Sequence, residues 1–513
     1  MSHRSILLVI LFCVSVAYIK VSDTYFCSYD DFNELRRAAF EDAQQPSRIL
    51  TTTHFNSYKY RPLNRAVNLW TYLIGQGHPV WFRIRNLAFH LANIVLVYAL
   101  GWLLFRSARI SGFGAALFSL HPLANQSIIG AVMTNTMAHA GFLLALVMFI
   151  VSMRAKRFWS LWLVGSVASG WLGLLAYDSG IVVFGLMCFY LFAELIIGYT
   201  RGFNWRFFFV FSSATTFFVG SYLLLRLWFV PRGWTQVTAA SPSLGVVAKN
   251  LATYAFALLS PLDLVLANEW INSPLPSEIV LSSSTLAILA LLALPLALAL
   301  IAAICPLKKS GVTIADGMDR AVPFLMCAIL APLTPVLLFE GHPSETYLYL
   351  PLAFYALLLS YGINRLVLLA DREKEKAVFA IVAFFLVGLS FSATWVRNGR
   401  VIQCGDTARR ILASVPDELL RQPDVTLLFA NSPGEKATRR YGYYGFHGVD
   451  TIGDGEAANG AMTSALQLMS KNETSGARIL NFKRLSDECR DEHARCFLVH
   501  WDGRLETFLP PKE

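Results

Sequence analysis

Long apolar runs recur along the first four fifths of this chain, and a run of about 18 residues or more can cross about 30 Å of hydrocarbon. The runs lie near residues 5–19, 80–105, 111–120, 137–153, 158–177, 179–198, 206–230, 281–304, 321–339, 346–363 and 376–396. Only 15% of the residues are charged, against roughly 25% in soluble domains. The sequence therefore excludes an ordinary soluble enzyme and predicts a mainly α, polytopic membrane protein with about eleven transmembrane helices.

Basic residues in the short loops indicate the orientation of these helices. Every second loop is short and rich in Lys or Arg, at residues 106–109, 154–157, 201–206, 308–309 and 365–376. The loops at 121–135, 177–179 and 340–346 contain no Lys or Arg. Because cytoplasmic loops carry the excess of basic residues, the pattern predicts a cytoplasmic N-terminus and an extracytoplasmic tail. Cytoplasmic anchors then account for the net charge of +9, so we expect no nucleic-acid partner.

Two outward loops are long enough to carry structure of their own. The first, 20–79, contains two stretches with helical spacing, 32–40 and 63–73, which we expect to lie on the membrane surface as amphipathic helices. The second, 231–280, includes an interfacial helix within 243–270. The apolar segment before the first loop is either a retained helix or a cleavable signal peptide, and the alternating charge pattern favours a retained helix.

The composition becomes charged and mixed after residue 396. Residues 1–396 form the predicted transmembrane domain, and residues 397–513 form a small extracytoplasmic α/β domain. Helical patterns at 407–420 and 458–470 alternate there with strand patterns at 425–430, 496–500 and 505–509. We therefore expect a compact mixed domain that is attached to the outward ends of the helices.

Four of the eight cysteines lie on the outward side in this topology. Cys489 and Cys496 can close a short loop as a disulfide, since the export side is usually oxidising; the alternative is a pair of thiols. Cys27 and Cys404 are the other two. The chain has no C-x-x-C and no H-E-x-x-H, so the sequence offers no support for a dedicated metal cage.

Polar residues whose side chains could take part in catalysis lie on the predicted outward face. They come from distant parts of the chain and are Asp30, Asp31, Arg61, His121, Asp178, Glu340, His342 and Glu345. Because they share one face of the membrane, they can line a single cavity. A carboxylate there suits a general base that deprotonates an acceptor hydroxyl, and cationic groups opposite it suit a phosphate leaving group.

Structural interpretations compete with these roles at the aspartates and at the histidine. Asp30 and Asp31 can cap the helix that begins near Phe32, because Asp is favoured at the N-cap and in the first turn. His121, which precedes Pro122, can open a helix. In both cases the side chain would satisfy backbone groups and would contribute no chemistry.

Arg61 and a tyrosine have similar alternatives. Arg61 can reach lipid phosphates as a snorkelling side chain. Tyr347 can belong to the aromatic belt at the membrane interface. No single residue is specific for a function, but the order of the motifs along the chain is.

Five motifs follow one another in an order that resembles the GT-C glycosyltransferases. They are YDD (29–31), YRPLNRAVNLWTYLIGQGHPVWFRIRNLAFHLAN (60–93), FSLHPLANQS (118–127), LLAYDSGIV (174–182) and ETYLYLP (345–351). The closest branch is that of the protein O-mannosyltransferases and the tetratricopeptide-bearing transmembrane mannosyltransferase-like proteins. The resemblance covers residues 1–396 and implies a GT-C-like transmembrane fold.

The resemblance also implies roles for individual residues. In that family an Asp of the first outward loop acts as catalytic base or orients the acceptor, and the donor is a sugar carried on a polyprenyl phosphate. The base role then falls to Asp30 or Asp31. The donor and acceptor pocket would include Arg61, His121, Glu345 and Tyr347.

Three motif positions depart from the pattern that is common in relatives. Gln126 occupies the acidic position of HPLHVE, and Thr346 stands where relatives often have Arg. Asp178 keeps the carboxylate of S-K-E, but Tyr177 replaces its Lys. Cations that could replace the two lost positions are Arg61, Arg83 and Arg85. Without such a replacement, the pattern indicates a divergent donor or a catalytically silent relative.

The leading prediction is a membrane glycosyltransferase that moves one sugar from a polyprenyl-phosphate donor to a protein, lipid or glycan acceptor on the outer face of the bilayer. A divalent ion, Mg²⁺ or Mn²⁺, can bridge the phosphate and a carboxylate, but nothing in the sequence requires it. The alternative is a catalytically silent GT-C-like scaffold whose tail binds a partner in an envelope complex. A secondary transporter fits less well, because charged groups are scarce within the helices.

Overall fold

The computed structural model of the protein describes most of its 513 residues. The described ranges are 2–51, 59–197, 205–230, 243–259, 296–297, 299–302, 318–338, 344–368, 375–422, 425–433, 448–452, 460–471, 476–480, 482–491, 493–500 and 502–509. The chain is mainly helical, and it has one small sheet near its C-terminus.

Within the described residues as far as Ala413, we label sixteen helices. In chain order they are α1 (His3–Ile19), α2 (Tyr29–Arg36, continued by a π-helical turn at Arg37–Asp42), α3 (Arg48–Thr51), α4 (Pro62–Gly75), α5 (Pro79–Phe105), α6 (Ala108–Leu120), α7 (Asn125–Ile129), α8 (Asn135–Arg154), α9 (Trp159–Ala176), α10 (Val182–Ile197), α11 (Trp205–Phe229), α12 (Leu244–Leu259), α13 (Met318–Leu330), α14 (Thr334–Leu337), α15 (Tyr349–Leu368) and α16 (Glu375–Ala413). Short 3₁₀ turns lie at Pro122–Ala124, Asp178–Ile181, Ala331–Leu333 and Glu345–Leu348.

Helices that can cross a membrane occur where the apolar runs predicted them. Within the described part of the chain, six are long and apolar enough, namely α5, α8, α9, α11, α15 with its preceding turn, and α16. Shorter apolar helices occupy the predicted spans at α1, α6 and residues 321–337, and α12 lies in the stretch that was predicted as an interfacial helix. Most of the predicted span 281–304 lies outside the described residues. The chain is therefore an integral membrane protein.

Helix α15 forms the centre of the bundle. Its apolar window is 94% buried, the largest buried share of the six, and it packs against α5, α6 and α13. The Tyr349 hydroxyl lies 2.6 Å from His90 Nδ1 and accepts a hydrogen bond from Asn93 Nδ2 at 3.0 Å. These hydrogen bonds satisfy polar groups that would otherwise be buried without partners.

Helices α8 and α9 approach each other closely through glycine. A Cβ atom added at Gly141 would lie 2.9 Å from the Ser169 carbonyl oxygen and 3.1 Å from Gly173 Cα. Small residues allow such approach inside a bilayer, where packing contacts replace the hydrophobic driving force. Glycine at this position therefore determines the distance between the two helices.

Helix α4 in the first loop buries polar residues and exposes apolar ones, the reverse of a surface helix in a soluble protein. It buries Asn64, Arg65 and Asn68 and exposes Trp70 and Leu73. An apolar face that is exposed in the protein can enter lipid, while the polar face contacts the rest of the chain. The arrangement is that of the predicted amphipathic helix at 63–73.

The tail begins inside a helix instead of at a break. The predicted domain boundary at 396 falls within α16, whose 39 residues continue to Ala413. Val401, Cys404, Ala408 and Ile411 are buried at helical spacing. The helical pattern predicted at 407–420 is therefore the end of α16 followed by the short α17.

The tail folds as a small α/β unit, as predicted. Its elements are α17 (Asp417–Leu420), β1 (Thr426–Asn431), a turn at Gly448–Thr451, α18 (Ala461–Ser470), β2 (Gly476–Ile479), α19 (Phe482–Glu488), β3 (Ala494–Val499) and β4 (Leu505–Thr507). The strand order is β2-β1-β3-β4, with β1 parallel to β2 and β3, and β4 antiparallel to β3. Cys489 and Cys496 form the predicted disulfide. Strand β2 and helix α19 had no clear sequence pattern and were not predicted.

Helix α18 of the tail packs on helix α2. The Arg36 Nε donates to Gln467 Oε1 at 2.5 Å, and the Ser464 hydroxyl donates to Asn33 Oδ1 at 2.6 Å. The tail is therefore in contact with the helix that carries Asp30 and Asp31.

Candidate functional site

Helix α2 carries both predicted catalytic aspartates in its first turn. Ser28 is the N-cap, and its hydroxyl accepts a hydrogen bond from the Asp31 backbone N–H at 3.3 Å. The helix therefore begins at Tyr29 instead of near Phe32, and the N-cap role belongs to Ser28. Carboxylates in the first turn are still favoured there by the positive end of the helix dipole.

The two aspartates differ in accessibility. Asp31 is completely buried, whereas Asp30 is half-buried. The Asp31 Oδ1 accepts from the Val132 backbone N–H at 3.3 Å, and its Oδ2 has no hydrogen-bond partner among the described residues. Burial raises the pKa of Asp31 to about 6, although Arg83 lowers it. Asp31 therefore fastens α2 to the loop at 129–133, and Asp30 is the more accessible carboxylate.

Polar side chains from α4 and α5 hold this loop. Its successive carbonyl oxygens, from residue 129 to residue 132, accept hydrogen bonds of 2.7–3.2 Å from Arg83, Asn86, Arg85 and Asn68 respectively. Buried guanidinium groups are costly unless they have such acceptors. Of the three cations that could replace the lost motif positions, Arg83 and Arg85 are engaged in the loop, and Arg61 is not.

Arg61 forms an ion pair with Asp178, which joins the start of α4 to the turn after α9. The Arg61 Nε and Nη2 donate to Asp178 Oδ1 at 3.0 and 2.5 Å. The guanidinium also lies 4.4 Å from the centroid of the Tyr177 ring, a cation–π contact. The two side chains of the pair are 13% and 15% exposed. The pair is therefore held in place but remains partly accessible.

Two further cations act on Asp178. Burial alone would raise the pKa of Asp178, but Arg61, Arg226 and Lys59 together hold it below its ordinary value. Burial and Arg61 lower the pKa of the Lys59 ammonium, while Asp30 and Asp178 raise it. We call Lys59, Arg61, Asp178 and Arg226 the open cluster. With three cations and one carboxylate, the open cluster itself has an excess of positive charge, and the carboxylates of Asp30 and Glu34 also act on Lys59.

Lys59 and Arg226 are residues that the sequence analysis missed. Both are basic and lie on the predicted outward side, where the positive-inside rule expects few. Arg226 also lies within an apolar span, and a charge there is costly unless it has a partner. These two deviations are the signal that could have identified them.

Glu345 forms a buried, bidentate ion pair with Arg397 of α16. The Arg397 Nη1 donates to Glu345 Oε1 at 2.8 Å, and Nη2 donates to Oε2. The same Nη1 donates to the Pro122 carbonyl oxygen at 3.1 Å. The two side chains are 4% and 1% exposed. The pair therefore links the turns at Pro122 and Glu345 to α16, and Arg397 is a partner that sequence reasoning did not find.

His121 and Gln126 also make contacts that support the backbone. The His121 Nδ1 accepts from the Leu123 backbone N–H at 3.2 Å and caps the following turn, as its structural interpretation predicted. Burial, together with Arg397, lowers the pKa of His121 to about 3, so the imidazole is neutral. The Gln126 Oε1 accepts from the Ser344 hydroxyl at 3.4 Å. These residues connect the HPL turn to the turn before α15.

The structure thus places the predicted site residues in two groups. The first surrounds the open cluster and contains Asp30, Arg61, Asp178 and Tyr347. The second is buried near Arg397 and contains His121, Gln126 and Glu345. Glu340 and His342 lie outside the described residues.

An apolar cavity of about 630 Å³ lies between α4, α5, α8 and α9. Val95, Leu144 and Leu172 line it, and their side chains are 41%, 38% and 48% exposed. Exposed apolar side chains on membrane-spanning helices are expected to face lipid. The cavity therefore opens sideways toward the hydrocarbon of the bilayer.

The cavity ends beside the open cluster. Leu63 and Ala176 belong to its lining. Leu63 lies two residues after Arg61, and Ala176 lies two residues before Asp178. The same two segments therefore supply an apolar wall and an adjoining charged end.

No metal cage is present among the described residues. No three His, Cys, Asp or Glu side chains are grouped there in a way that could hold an ion. A Mg²⁺ or Mn²⁺ ion usually takes part of its ligand set from substrate phosphates. Such an ion would therefore have to bind together with a phosphate and a carboxylate such as Asp30.

Comparisons with known proteins identify a similar fold. No protein-family model matches the chain, and no curated protein matches its sequence. The chain is similar to the Archaeoglobus fulgidus oligosaccharyltransferase in the apo form, with a TM-score of 0.51 and 12% identity over 84% of this chain and 62% of that chain. The archaeal oligosaccharyltransferase AglB from Archaeoglobus fulgidus, in complex with an inhibitory peptide and a dolichol-phosphate, gives a TM-score of 0.50 and 13% identity over 84% of this chain and 62% of that chain.

A third similar structure is ArnT from Cupriavidus metallidurans in the apo state. Its TM-score is 0.41, with 14% identity over 97% of this chain and 93% of that chain. The chain spans 62% of the length of the archaeal oligosaccharyltransferase. At these identities the likeness concerns the fold, which is GT-C-like.

Proposed function

We propose that the chain is a membrane glycosyltransferase that transfers a sugar from a polyprenyl-phosphate donor to an acceptor hydroxyl on the extracytoplasmic face. One observation carries the proposal: an apolar cavity that opens toward lipid ends beside a positively charged cluster. A polyprenyl phosphate has the matching chemistry, a long apolar tail and an anionic head. A ligand that is wholly apolar or wholly polar would match only the cavity or only the open cluster.

The cavity suits the polyprenyl tail. A tail that enters from the bilayer exchanges lipid contacts for protein contacts, so it gains little from the hydrophobic effect. The wall formed by Val95, Leu144 and Leu172 therefore orients the donor more than it binds it. Most of the binding free energy has to come from the phosphate end.

The open cluster suits the phosphate. Charge-assisted hydrogen bonds from guanidinium and ammonium groups to phosphate oxygens are strong, and a guanidinium can bind two of them at once. Asp178 and the Tyr177 ring hold Arg61 in a fixed orientation. Lys59 and Arg226 add positive charge around the same carboxylate. These cations would stabilise the phosphate as it leaves with the electrons of the broken bond.

Asp30 suits the role of catalytic base. It is half-buried, it lies in the first turn of α2, and it interacts with Lys59 of the open cluster. In the proposed step, Asp30 takes the proton of the acceptor hydroxyl. The acceptor oxygen forms a bond to the anomeric carbon while the bond to the phosphate oxygen breaks. Asp31 positions α2 by its hydrogen bond with Val132.

The fold supports the same chemical class. The archaeal oligosaccharyltransferase of similar fold was solved with a dolichol-phosphate and an inhibitory peptide. A dolichol-phosphate is a polyprenyl phosphate in the wider sense. The acceptor of this chain is a protein, a lipid or a glycan, and a divalent ion bound with the phosphate would add to the charge neutralisation.

Paired aspartate substitutions test this proposal. In cells without the native gene, Asp30→Asn should lower the rate of sugar transfer by roughly a hundredfold or more, because an amide cannot accept the proton. The matched control is Asp23→Asn, an exposed aspartate in the same loop. Intact-mass analysis of envelope proteins, lipids and glycans would show which class loses a sugar mass.

The outcomes separate the enzyme from a scaffold. Equal amounts of folded membrane protein must be confirmed for each variant before transfer is compared. Loss of transfer with Asp30→Asn but not with Asp23→Asn supports catalysis. Full transfer by the Asp30→Asn protein and also by the Asp31→Asn protein would rule out the catalytic proposal and favour a silent GT-C-like subunit.

A further inference from the structure

The four cysteines on the predicted outward side fall into two neighbouring pairs. Cys489 and Cys496 form a disulfide within the tail. Cys27 and Cys404 are the other pair, and in the structure both side chains are thiols. Neither pair is used by the proposed sugar transfer.

Cys27 and Cys404 pack directly against each other although they are 377 residues apart in sequence. The Cys404 Sγ lies 3.7 Å from the Cys27 carbonyl oxygen, and the two side chains are within hydrogen-bonding distance of each other. Both residues are completely buried. The two sulfur atoms are therefore neighbours inside a closed region.

The backbone around this pair is closely packed. A Cβ atom added at Gly405 would lie 2.9 Å from the Tyr25 carbonyl oxygen and 2.4 Å from Thr24 Cγ2. The guanidinium of Arg409 lies 5.4 Å from the centroid of the Tyr25 ring. Helix α16 therefore rests against residues 24–27, so the two sulfur atoms stay close in the folded protein.

We propose that Cys27 and Cys404 are a covalent modification site, and that they become a disulfide while the exported chain folds, before the region around them closes. The inference rests on the predicted outward orientation of both residues and not on sugar transfer. Two S–H bonds break and one Sγ–Sγ bond forms. The two electrons and two protons pass to a disulfide-bearing thiol oxidant of the export compartment, which is reduced to a dithiol.

The disulfide would join two distant parts of the outward side. It links the segment just before α2, which carries Asp30 and Asp31, to the extended end of α16. Closing so long a loop lowers the entropy of the unfolded chain, which stabilises the folded state. Because Cys27 precedes the Ser28 cap, the bond would also fix the start of α2.

Thiol counting tests the proposal. The full chain is purified without reductant, denatured and treated with N-ethylmaleimide. Of its eight cysteines, the two disulfides would account for four, so four should be alkylated. Six alkylated thiols would mean that Cys489–Cys496 is the only disulfide, and the proposal would be overturned. Peptide mapping should also find Cys27 and Cys404 in one cross-linked peptide pair that separates on reduction.

Two variants control for incidental oxidation. The Cys27→Ser/Cys404→Ser protein should show four alkylated thiols without reductant and six after full reduction of the denatured chain, whereas the wild type should rise from four to eight. The Cys13→Ser protein, altered within α1, should still contain the cross-linked peptide pair. If Cys27 were instead joined to any other cysteine, the assignment would be wrong. Sugar transfer plays no part in these readouts, so they remain informative if the proposed activity fails.

Discussion

Two kinds of ion pair lie on the predicted outward side of this protein. Arg65 with Asp42, and Arg397 with Glu345, are closed pairs whose side chains are 1–4% exposed. The Arg61–Asp178 pair of the open cluster is 13–15% exposed. Arg397 and Glu345 form a bidentate contact, and Arg37 adjoins the Arg65–Asp42 pair, whereas in the open cluster three cations act on Asp178.

This difference in exposure and charge suits the closed pairs to stabilising the fold and the open cluster to binding a ligand. A buried ion pair with satisfied hydrogen bonds gains little from a ligand and loses much when one partner is removed. The open cluster has an excess of positive charge and adjoins a cavity, so an anionic ligand would lower its electrostatic energy. We therefore expect substitutions in the closed pairs to affect stability, and substitutions in the open cluster to affect binding.

The largest expected loss of stability follows from breaking a closed pair. Arg397→Ala would leave Glu345 buried without its main partner, at a cost of about 3–5 kcal/mol. Arg61→Ala should cost about 1–2 kcal/mol, because Asp178 keeps Lys59 and Arg226 as neighbours. Thermal unfolding of the detergent-purified proteins measures both changes.

A double substitution sharpens this result. Arg397→Met combined with Glu345→Leu removes both charges and should recover most of the lost stability, since apolar replacements of a buried pair are often neutral. If Arg397→Ala proved no more damaging than Arg61→Ala, the distinction between closed pairs and open cluster would be lost.

The second effect concerns pH and the buried Asp31. Its folded-state pKa of about 6 lies above the ordinary value of 3.8, so the folded protein binds the proton more tightly than the unfolded chain does. Stability from this group is present below pH 4 and is lost as the pH rises through 6, on the order of 3 kcal/mol in total. Asp31→Asn should remove that loss.

The measurement is a series of thermal unfolding curves between pH 4 and pH 8. Glu34, whose pKa burial raises to about 7, adds a similar loss at slightly higher pH and should persist in the variant. Asp23→Asn, which alters an exposed aspartate of the same loop, is the matched control, and its pH profile should resemble that of the wild type. Identical profiles for Asp31→Asn and the wild type would show that Asp31 is not buried as described.

A smaller effect is expected in the cavity. Ala140 lines the cavity, and Ala140→Trp would fill space that the polyprenyl tail needs, so affinity for a polyprenyl phosphate should fall about tenfold. Leu161→Trp, on an exposed part of α9, is the size-matched control and should leave affinity unchanged. Native mass spectrometry of the detergent complex measures both, and equal binding by the two variants would place the tail elsewhere.

The fold was largely predictable from the sequence because membrane spans are encoded locally. A run of apolar residues has few alternatives to a helix in lipid, so the positions of α5, α8 and α11 follow from hydropathy alone. The C-terminal strands were found in the same way from short alternating patterns. Strand β2 reads GARI, in which only the isoleucine is typical of strands, so it was not predicted although the still shorter β4 was.

The site was less predictable because it depends on partners that are distant in sequence. The YRPL and HPL motifs identified Arg61 and His121, but not that one pairs with Asp178 and the other caps a turn. Arg397 lies within the long helix α16, and only the fold brings it beside Glu345. Pairing between elements is decided by tertiary packing, which a single sequence does not display.

Binding of a polyprenyl phosphate tests the central claim most directly. Affinities of the wild type, Arg61→Ala and the control Arg106→Ala, which alters an exposed arginine at the opposite end of α5, are measured in detergent with a polyprenyl phosphate and with the corresponding polyprenol. We predict that the wild type prefers the phosphate, and that Arg61→Ala alone weakens phosphate binding by roughly 10- to 100-fold. Equal binding of phosphate and polyprenol, or unchanged binding by Arg61→Ala, would contradict the account.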